Sequence, residues 1–536
     1  GHYLMASFSY ELAVAFDSKH KVHHDPKKFP LIAACSFDEM PLVRLAPKDI
    51  RHSHQTDITP HIQESEYHQA IAQSKKYIYD GDIYQVNFSF RNDLVLKENT
   101  LDLFQRLAAL HPVPYSCYMD LESWQILSIS PELFLEKQDN TLISKPMKGT
   151  AHRAKTWKDD CRVQEEMKED LKTQAENVMI VDLMRNDLSR ICKTGSIQVE
   201  KLFEVDRYKS LHQMISTVSG ELQKDTTLYD TLKALYPPGS IIGAPKIRAM
   251  EVINELEKDA RQIYTGCVGL FKPNGDYTMN VCIRTLLCKD GQASLGLGSG
   301  IVADSKDSME WSECLLKGAF LNAKQEFSEI FETILWDQEY IYLDEHLQRL
   351  EESTSYFQWN YPKELILNRL NEHHQILKDQ HVKKRLRLSL KKNGDVNLES
   401  FPMSEWNPSG LKIRLSTDRL NSNDVFLYHK TDHRALYNES YRKALADGFD
   451  EVLFLNEKDE ICEGSISNVF IEDQQGNWLT PKLSSGLLPG VWRQKMIDQL
   501  KACEKSLFTK DLNDANTIIM GNSVRQEQEV TTLLHP

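Results

Sequence analysis

Apolar residues recur at three- and four-residue spacing in three long stretches: LDLFQRLAAL (101–110), QAENVMIVDLMRNDLSRI (174–191) and SMEWSECLLKGAFLNAKQEF (308–327). That spacing predicts helices with one buried face. Elsewhere the pattern shortens to two, or to short apolar runs: SWQILSIS (123–130), YTGCVGLF (264–271) and KRLRLSLKK (384–392) predict strands. In the last of these Arg385, Arg387 and Ser389 alternate with Leu386, Leu388 and Leu390, so a half-buried strand accounts for its basic residues better than a nucleic-acid patch does. The opening stretch YLMASFSYELAVAF (3–16) predicts a strand and the element after it. It is too short, and Glu11 too polar, for a bilayer span or an ordinary signal peptide. The chain opens on Gly1 at the edge of that strand, which suggests further sequence upstream.

After Phe327 the texture restarts. EIFETILWDQEYIYLDEHLQRLEES predicts strand, two-residue turn, strand and helix, which puts a domain boundary near Ser328 and divides the chain into 1–327 and 328–536. A length of 536 residues exceeds what one core can hold. No repeat and no low-complexity tract argues for a solenoid. Helices and strands mix throughout, so the fold class is α+β.

Composition narrows the function. Hydrophobic residues make up 41% and charged residues 26%, the balance of a globular enzyme. A net charge of -14 argues against a general nucleic-acid binder, which needs clustered Lys and Arg. The ten cysteines form no CxxC pair and no zinc-like spacing, and a reducing cytoplasm is the simplest home for them.

Several stretches carry candidate chemistry. In SKPMKGTAHR (144–153), Lys148 lies between a Pro-Met pair and a Gly-Thr turn; its residue type alone allows a solvated loop cation or a nucleophile. Glu310 and Glu313, at i and i+3, share one helix face beside the apolar Leu316 position, and Glu176 opens the amino end of an apolar helix. Carboxylates converging from two helices suit Mg²⁺, although acids also simply favour helix starts. Gly296, Gly298 and Gly300 in LGLGSGIVADS offer a backbone open to an anion, or a tight turn.

Taken in order, SISPELFL, PMKGT, AENVMIVDLMRNDLSRI, PPGSIIGAPKIRAME, YTGCVGLF, CIRT and GSGIVADSKDSMEWSECLLK resemble the motif series of the chorismate-utilising enzymes over residues 1–325. That group includes anthranilate synthase component I, isochorismate synthase and aminodeoxychorismate synthase component I. The resemblance implies that Lys148, a position usually alanine in anthranilate synthases and lysine in aminodeoxychorismate synthases, attacks C2 of chorismate while the C4 hydroxyl leaves. It implies Glu132 as general acid and base, and Glu176 and Glu313 as Mg²⁺ ligands with Glu310 beside them. Gly149, Thr150, Tyr264, Arg284, Gly298, Ser299 and Gly300 match positions that hold the substrate's carboxylates. One departure stands out: the histidine that anthranilate synthases link to pyruvate loss falls on Gln213, with His212 before it. This favours a domain that keeps the enolpyruvyl group.

The second half resembles the fold-type IV pyridoxal phosphate enzymes over residues 329–536, through FLYHKTDHRALYNES, DEICEGSISNVFI and WLTPKLSSGLLPGVWRQ. The resemblance implies a two-subdomain fold in which Lys430 is the Schiff-base lysine and Glu463, 33 residues on, partners the pyridine nitrogen. Arg349 in HLQRL, with Asn522 and Ser523 in GNSVRQ, matches the phosphate contacts. Trp492 departs from the threonine that many relatives place near the phosphate.

Together these imply a bifunctional folate-pathway enzyme that converts chorismate and ammonia to aminodeoxychorismate and then to 4-aminobenzoate and pyruvate, using Mg²⁺ and pyridoxal 5'-phosphate. No Gly-x-Cys-x-Gly elbow is present, so a separate glutamine amidotransferase subunit is implied. A homodimer through the pyridoxal phosphate domain fits the resemblance. The alternatives are an anthranilate-type domain fused to a class IV aminotransferase, which Lys148 and Gln213 disfavour, and a non-catalytic scaffold.

Overall fold

In a computed structural model, residues 1–23, 29–40, 56–209, 211–323, 327–380, 382–403 and 409–535 are described. The chain divides into two compact units. The first comprises Gly1–His152 and Gln164–Gln325, and the second comprises Arg153–Val163 and Glu326–Pro536. A short segment from within the first half of the sequence therefore belongs to the second unit.

Among its described residues, the first unit holds two antiparallel sheets. The nine-stranded sheet runs, in order, Gln198–Arg207, Leu211–Glu221, Thr141–Lys145, Leu133–Gln138, Tyr277–Asn280, Cys267–Phe271, Tyr3–Phe8 and Ile32–Phe37, with Met147–His152 also paired to Leu211–Glu221. The seven-stranded sheet centres on Gln85–Val95 and Gln292–Ile301. Their alternating apolar residues meet in one core, to which Phe8, Phe88, Leu127, Ile129 and Leu135 contribute with helical residues such as Met184 and Leu188. Alternation accounts for the strands and capping for the helices. Asn99 accepts from Leu101 N at 2.9 Å to start Thr100–Leu110, and Asp170 accepts from Thr173 N at 2.7 Å to start Leu171–Ser189.

Three expectations change. The helix expected over 308–327 is Asp307–Gly318 followed by a 3-10 turn Ala319–Asn322; 324–326 lie outside the described residues. Its buried positions are Cys314 and Gly318, and Trp311 packs on Phe90 and Tyr67, whereas Leu316 is 59% exposed. The acids therefore do not lie beside a buried Leu316. The helix of Glu176 starts at Leu171, so Glu176 stands in its second turn. The glycine-rich stretch is no turn: Gly296, Gly298 and Gly300 lie inside the strand Gln292–Ile301. Extended backbone with alternate glycines clears one strand face of side chains, and the neighbours crowding that face require it. A Cβ on Gly296 would fall 2.1 Å from the Tyr264 ring, and one on Gly298 would fall 2.6 Å from the Phe88 carbonyl.

The second unit holds two further sheets among its described residues. A four-stranded sheet, Glu339–Tyr340, Glu329–Asp337, Lys384–Lys391 and Val396–Pro402, is accompanied by helices Leu343–Phe357 and Lys363–Leu377. Their shared core includes Ile330, Leu350, Leu370 and Leu388. An eight-stranded mixed sheet contains Leu411–Leu420, parallel to both Glu451–Asn456 and Gln526–Leu534. The segment around Lys430 is pinned to the small sheet: Phe331 N donates to Lys430 O at 2.9 Å and Asp432 N to Glu329 O at 3.0 Å. The α+β, two-subdomain expectation matches this arrangement. All ten cysteines are free thiols, and among the described residues no helix is long and apolar enough to cross a membrane.

Candidate functional site

The first unit gathers charged groups around Lys148. The lysine lies on Met147–His152, and Glu132 stands just before Leu133–Gln138. A Cβ on Gly300 would lie 2.7 Å from Lys148 Nζ and 2.8 Å from Gln85 Nε2, so the missing side chain of Gly300 leaves room for both. Burial pushes the Lys148 ammonium below its ordinary range against the pull of Glu176, Glu313 and Glu132, and Lys317 adds to the depression. Glu132 moves the other way: burial raises it to about 7, although Ser240 Oγ donates to it at 2.6 Å. Burial thus favours the neutral form of the Lys148 amine and the protonated form of the Glu132 carboxyl. These are the ionisation states a nucleophile and a general acid need.

Gly149 and Thr150 are fastened next to the lysine. Gln213, opposite Thr150 on the neighbouring strand, donates from Nε2 to Gly149 O at 2.8 Å and accepts from Thr150 Oγ1 at 3.3 Å. Gly149 has φ +95°, and a Cβ there would come within 2.3 Å of Thr173 Cγ2, so both conformation and packing demand glycine. Asn177 donates to Lys148 O at 3.4 Å and is itself held by Ser216.

The strand Gln292–Ile301 shows which backbone groups are open. Its pairing with the strand Thr285–Lys289 ends at Leu295. From Gly296 onward its one partner among the described residues is Gln85–Val95. In an antiparallel ladder both backbone groups of one residue point to the same edge, and those of the next residue to the other. Gly298 O receives Lys317 Nζ at 2.9 Å, so the N–H groups of Gly298 and Gly300 face the open edge. Ser299 is turned the other way, its hydroxyl 2.9 Å from Tyr67 OH.

Arg284 has φ +48°, a strained conformation for a side-chain-bearing residue, and its half-buried guanidinium forms no ion pair among the described residues. Burial lowers its pKa, and Tyr208, which also feels Glu132, opposes that. An arginine without a carboxylate partner at such a place is matched to an anion. Tyr264 sits beneath Gly296. Glu310 acts on Tyr67 rather than on Lys148. The structure therefore groups Lys148, Glu132, Glu176, Glu313, Gly149, Thr150 and Gly300, with Tyr264, Ser299 and Glu310 one layer further out.

Glu176 and Glu313 fit a Mg²⁺ ion as far as residue chemistry goes: both are solvent-reachable carboxylates, although Glu313 is paired with Lys317 at 2.8 Å. No cluster of three or more His, Cys, Asp or Glu poised as ligands occurs among the described residues. Mg²⁺ commonly takes one or two protein carboxylates and completes its shell with water and substrate.

In the second unit a cavity of about 390 Å³ is lined by Lys430, Glu463, Arg349, Ser523 and Gly490, among others. Burial, helped by Arg434 and Arg349, brings Lys430 down to about 7. Burial also raises Glu463 to about 7, against Arg434 and a bond from Tyr437 OH at 2.9 Å; Leu488 N donates to its other oxygen at 3.1 Å. Arg349 is aimed by Glu332, which accepts from its Nε at 2.8 Å and its Nη2 at 2.6 Å and also holds His346 at 2.7 Å. Burial alone would raise Glu332, but Arg349 and His346 reverse this and hold it at about 2. Asn522 shapes the turn that contains Ser523, accepting from Val524 N at 3.0 Å and Arg525 N at 2.9 Å. The helix Val491–Leu500 begins at the cavity after Gly490, where a Cβ would fall 2.0 Å from Asn468 Oδ1. Trp492 is 2% exposed, with its ring against Phe470, so it leaves the helix's first N–H groups free. Arg349, Ser523 and that helix start fit a phosphate, and Lys430 and Glu463 fit the ring of pyridoxal phosphate.

Sequence reasoning did not single out Gln85, Asn177, Ser240, Lys317, Glu332 or Tyr437. Gln85, first in the strand Gln85–Val95, and Glu332, within the mostly apolar run of residues 330–336, are buried polar residues. Such residues need a partner or a function.

Residues 11–323 match the chorismate binding enzyme family. The chain belongs to that family. Residues 329–533 match the class IV aminotransferases, so a chorismate binding domain is followed by a class IV aminotransferase domain. The first domain is 37% identical over 274 residues to anthranilate synthase component 1 of Acetivibrio thermocellus and 38% identical over 266 residues to aminodeoxychorismate synthase component 1 of Bacillus subtilis. These matches cover 51% and 50% of the chain. The chain spans little more than half the length of these relatives, 56% and 57% respectively. In structure it resembles anthranilate synthase component I of Streptococcus pneumoniae TIGR4, with TM-score 0.53 and 26% identity, over 60% of this chain and 81% of that one.

Proposed function

We propose that this chorismate binding enzyme makes 4-aminobenzoate for folate synthesis in two steps, one in each domain. The observation that carries the reading is Lys148, a lysine with a depressed pKa facing the raised carboxyl of Glu132. In the first step Lys148 Nζ bonds to C2 of chorismate as the C4–O bond breaks, and Glu132 gives its proton to the departing hydroxyl, which leaves as water. Ammonia then bonds to C4, the C2–N bond breaks, and Lys148 departs as the amine while the added nitrogen loses a proton. Arg284 and the open N–H groups of Gly298 and Gly300 hold the substrate's carboxylates. Mg²⁺ held by Glu176 and Glu313 would neutralise a substrate carboxylate. A second polypeptide delivering ammonia from glutamine is consistent with the Bacillus subtilis relative being a component 1.

In the second domain pyridoxal phosphate would supply an electron sink for the carbon that bears the substrate's amine. Lys430, whose pKa burial lowers to about 7, is placed to take the C4 proton as enolpyruvate leaves, and aromatisation makes the step irreversible. Glu463 would keep a proton at the cofactor's pyridine nitrogen, and Arg349, oriented by Glu332, would hold its phosphate. Ten free thiols are consistent with a reducing cytoplasm.

The near-equal identity to an anthranilate synthase keeps one competing reading, an anthranilate-type domain joined to an aminotransferase. Chorismate and ammonium salt given to the full chain separate the two. 4-Aminobenzoate with equimolar pyruvate supports the proposal, and 2-aminobenzoate overturns it. Lys148→Ala should cut product by at least a hundredfold, and wild-type enzyme quenched during turnover should carry a chorismate-derived mass on the Lys148 peptide.

A further inference from the structure

The proposed chemistry of the second domain leaves part of its cavity unused. Among the described residues six cations, Arg349, Arg385, Arg387, Lys430, Arg434 and Arg525, line it against two acids, Asp432 and Glu463. Asp432 is spent on the Ser328 and Glu329 amides, and Glu463 on Tyr437 and Leu488 N. Arg349 is paired with Glu332 and Arg387 touches Glu329, which leaves Arg385 as a cation on this wall with no carboxylate partner among the described residues.

Two of these cations form a pair. Arg385 and Arg387 are alternate residues of Lys384–Lys391, so both project from one face of that strand. Their strand neighbours Phe401, opposite Arg385, and Thr333, opposite Arg387, line the same cavity. Arg387 Cζ lies 3.7 Å from the centroid of the Phe331 ring, and Lys430 Nζ lies 5.0 Å from the same centroid, so this arginine and the reacting lysine share one aromatic neighbour. Arg387 makes one 3.1 Å contact with Glu329. Arg385 stacks 4.9 Å from the Phe401 centroid and has no carboxylate partner among the described residues. Both flat faces are packed while N–H edges remain to be used, an arrangement suited to bidentate carboxylate recognition.

We propose that Arg385 and Arg387 form a carboxylate subsite that makes the second domain selective for an amino substrate bearing two carboxylates. The inference rests on the elimination reading above and assigns its specificity to these two residues. An aliphatic monocarboxylic amino acid would leave this cationic strand face unneutralised, whereas a cyclic dicarboxylate can engage it while its amine-bearing carbon meets Lys430.

The test uses the full chain loaded with pyridoxal phosphate, read by the change in the cofactor's visible absorbance, which reports this cavity and not the other domain. Isophthalate, a flat dianion, should bind at least tenfold more tightly than benzoate. Arg385→Gln and Arg387→Gln should each weaken isophthalate at least tenfold and benzoate no more than twofold, with cofactor absorbance retained as the sign of an intact site. Arg385→Lys should recover part of the loss. Isophthalate affinity unchanged in the double Gln variant overturns the subsite, whatever reaction the domain performs. If the variants lose isophthalate but the wild-type chain needs a keto acid to turn over glutamate, the subsite stands and the elimination reading fails.

Discussion

Gln213 holds the backbone beside Lys148: its Nε2 donates to Gly149 O at 2.8 Å, and its Oε1 accepts from Thr150 Oγ1 at 3.3 Å. Gln213 is thus a brace for the strand Met147–His152 that presents the lysine. Each such bond is worth about 1 kcal/mol net. Gln213→Ala should raise KM for chorismate about tenfold and leave turnover of supplied aminodeoxychorismate unchanged. Steady-state kinetics of both halves check this, and an unaltered KM would mean that the strand needs no such brace.

The opposed shifts of Glu132 and Lys148 predict a bell-shaped pH profile for the first domain. Glu132 must be protonated to act as the acid, so the rate falls as pH rises past about 7. Lys148 must be neutral, so the rate also falls as pH drops below its depressed pKa. With free ammonia held constant, Glu132→Gln should lower the rate by about 10²–10⁴ and flatten the alkaline limb. Retention of that limb would assign it to another group.

Glu176 and Glu313 predict metal dependence confined to one half of the chemistry. Dialysis against a chelator should stop chorismate amination, Mg²⁺ should restore it, and Glu176→Gln should raise the Mg²⁺ needed for half activity at least tenfold. Equal loss of aminodeoxychorismate turnover in this variant would make Glu176 a structural residue.

Glu332 predicts a stability effect with a defined sign. Its folded pKa of about 2 lies below the ordinary 4.5, so its contribution is full above pH 4.5 and is lost as pH falls toward 2. Glu332→Ala leaves Arg349 unpaired in a buried place and should cost about 3–5 kcal/mol. Thermal unfolding should show the loss at pH 7, and titration with pyridoxal phosphate should show weaker binding. Unchanged values for both would remove Glu332 from the phosphate site.

Much was legible in the sequence because local periodicity and motif spacing need no knowledge of distant neighbours. Alternation in Arg385 to Leu390 gave the strand Lys384–Lys391, and three-four spacing gave Thr100–Leu110. The motifs marked both lysines, the carboxylates and the family of each half. Tertiary structure decided whatever depends on residues far apart in the chain. Gly300 is a glycine inside a strand because Lys148, 152 positions earlier, occupies its side-chain space, and no local pattern encodes that clearance. Leu316 looked buried by spacing, yet Trp311 and Cys314 took the packed face because Tyr67 and Phe90 are there to meet them. The shifts of Lys148, Glu132 and Lys430 likewise come from burial, which arises only when separate strands and helices exclude water from the same small volume.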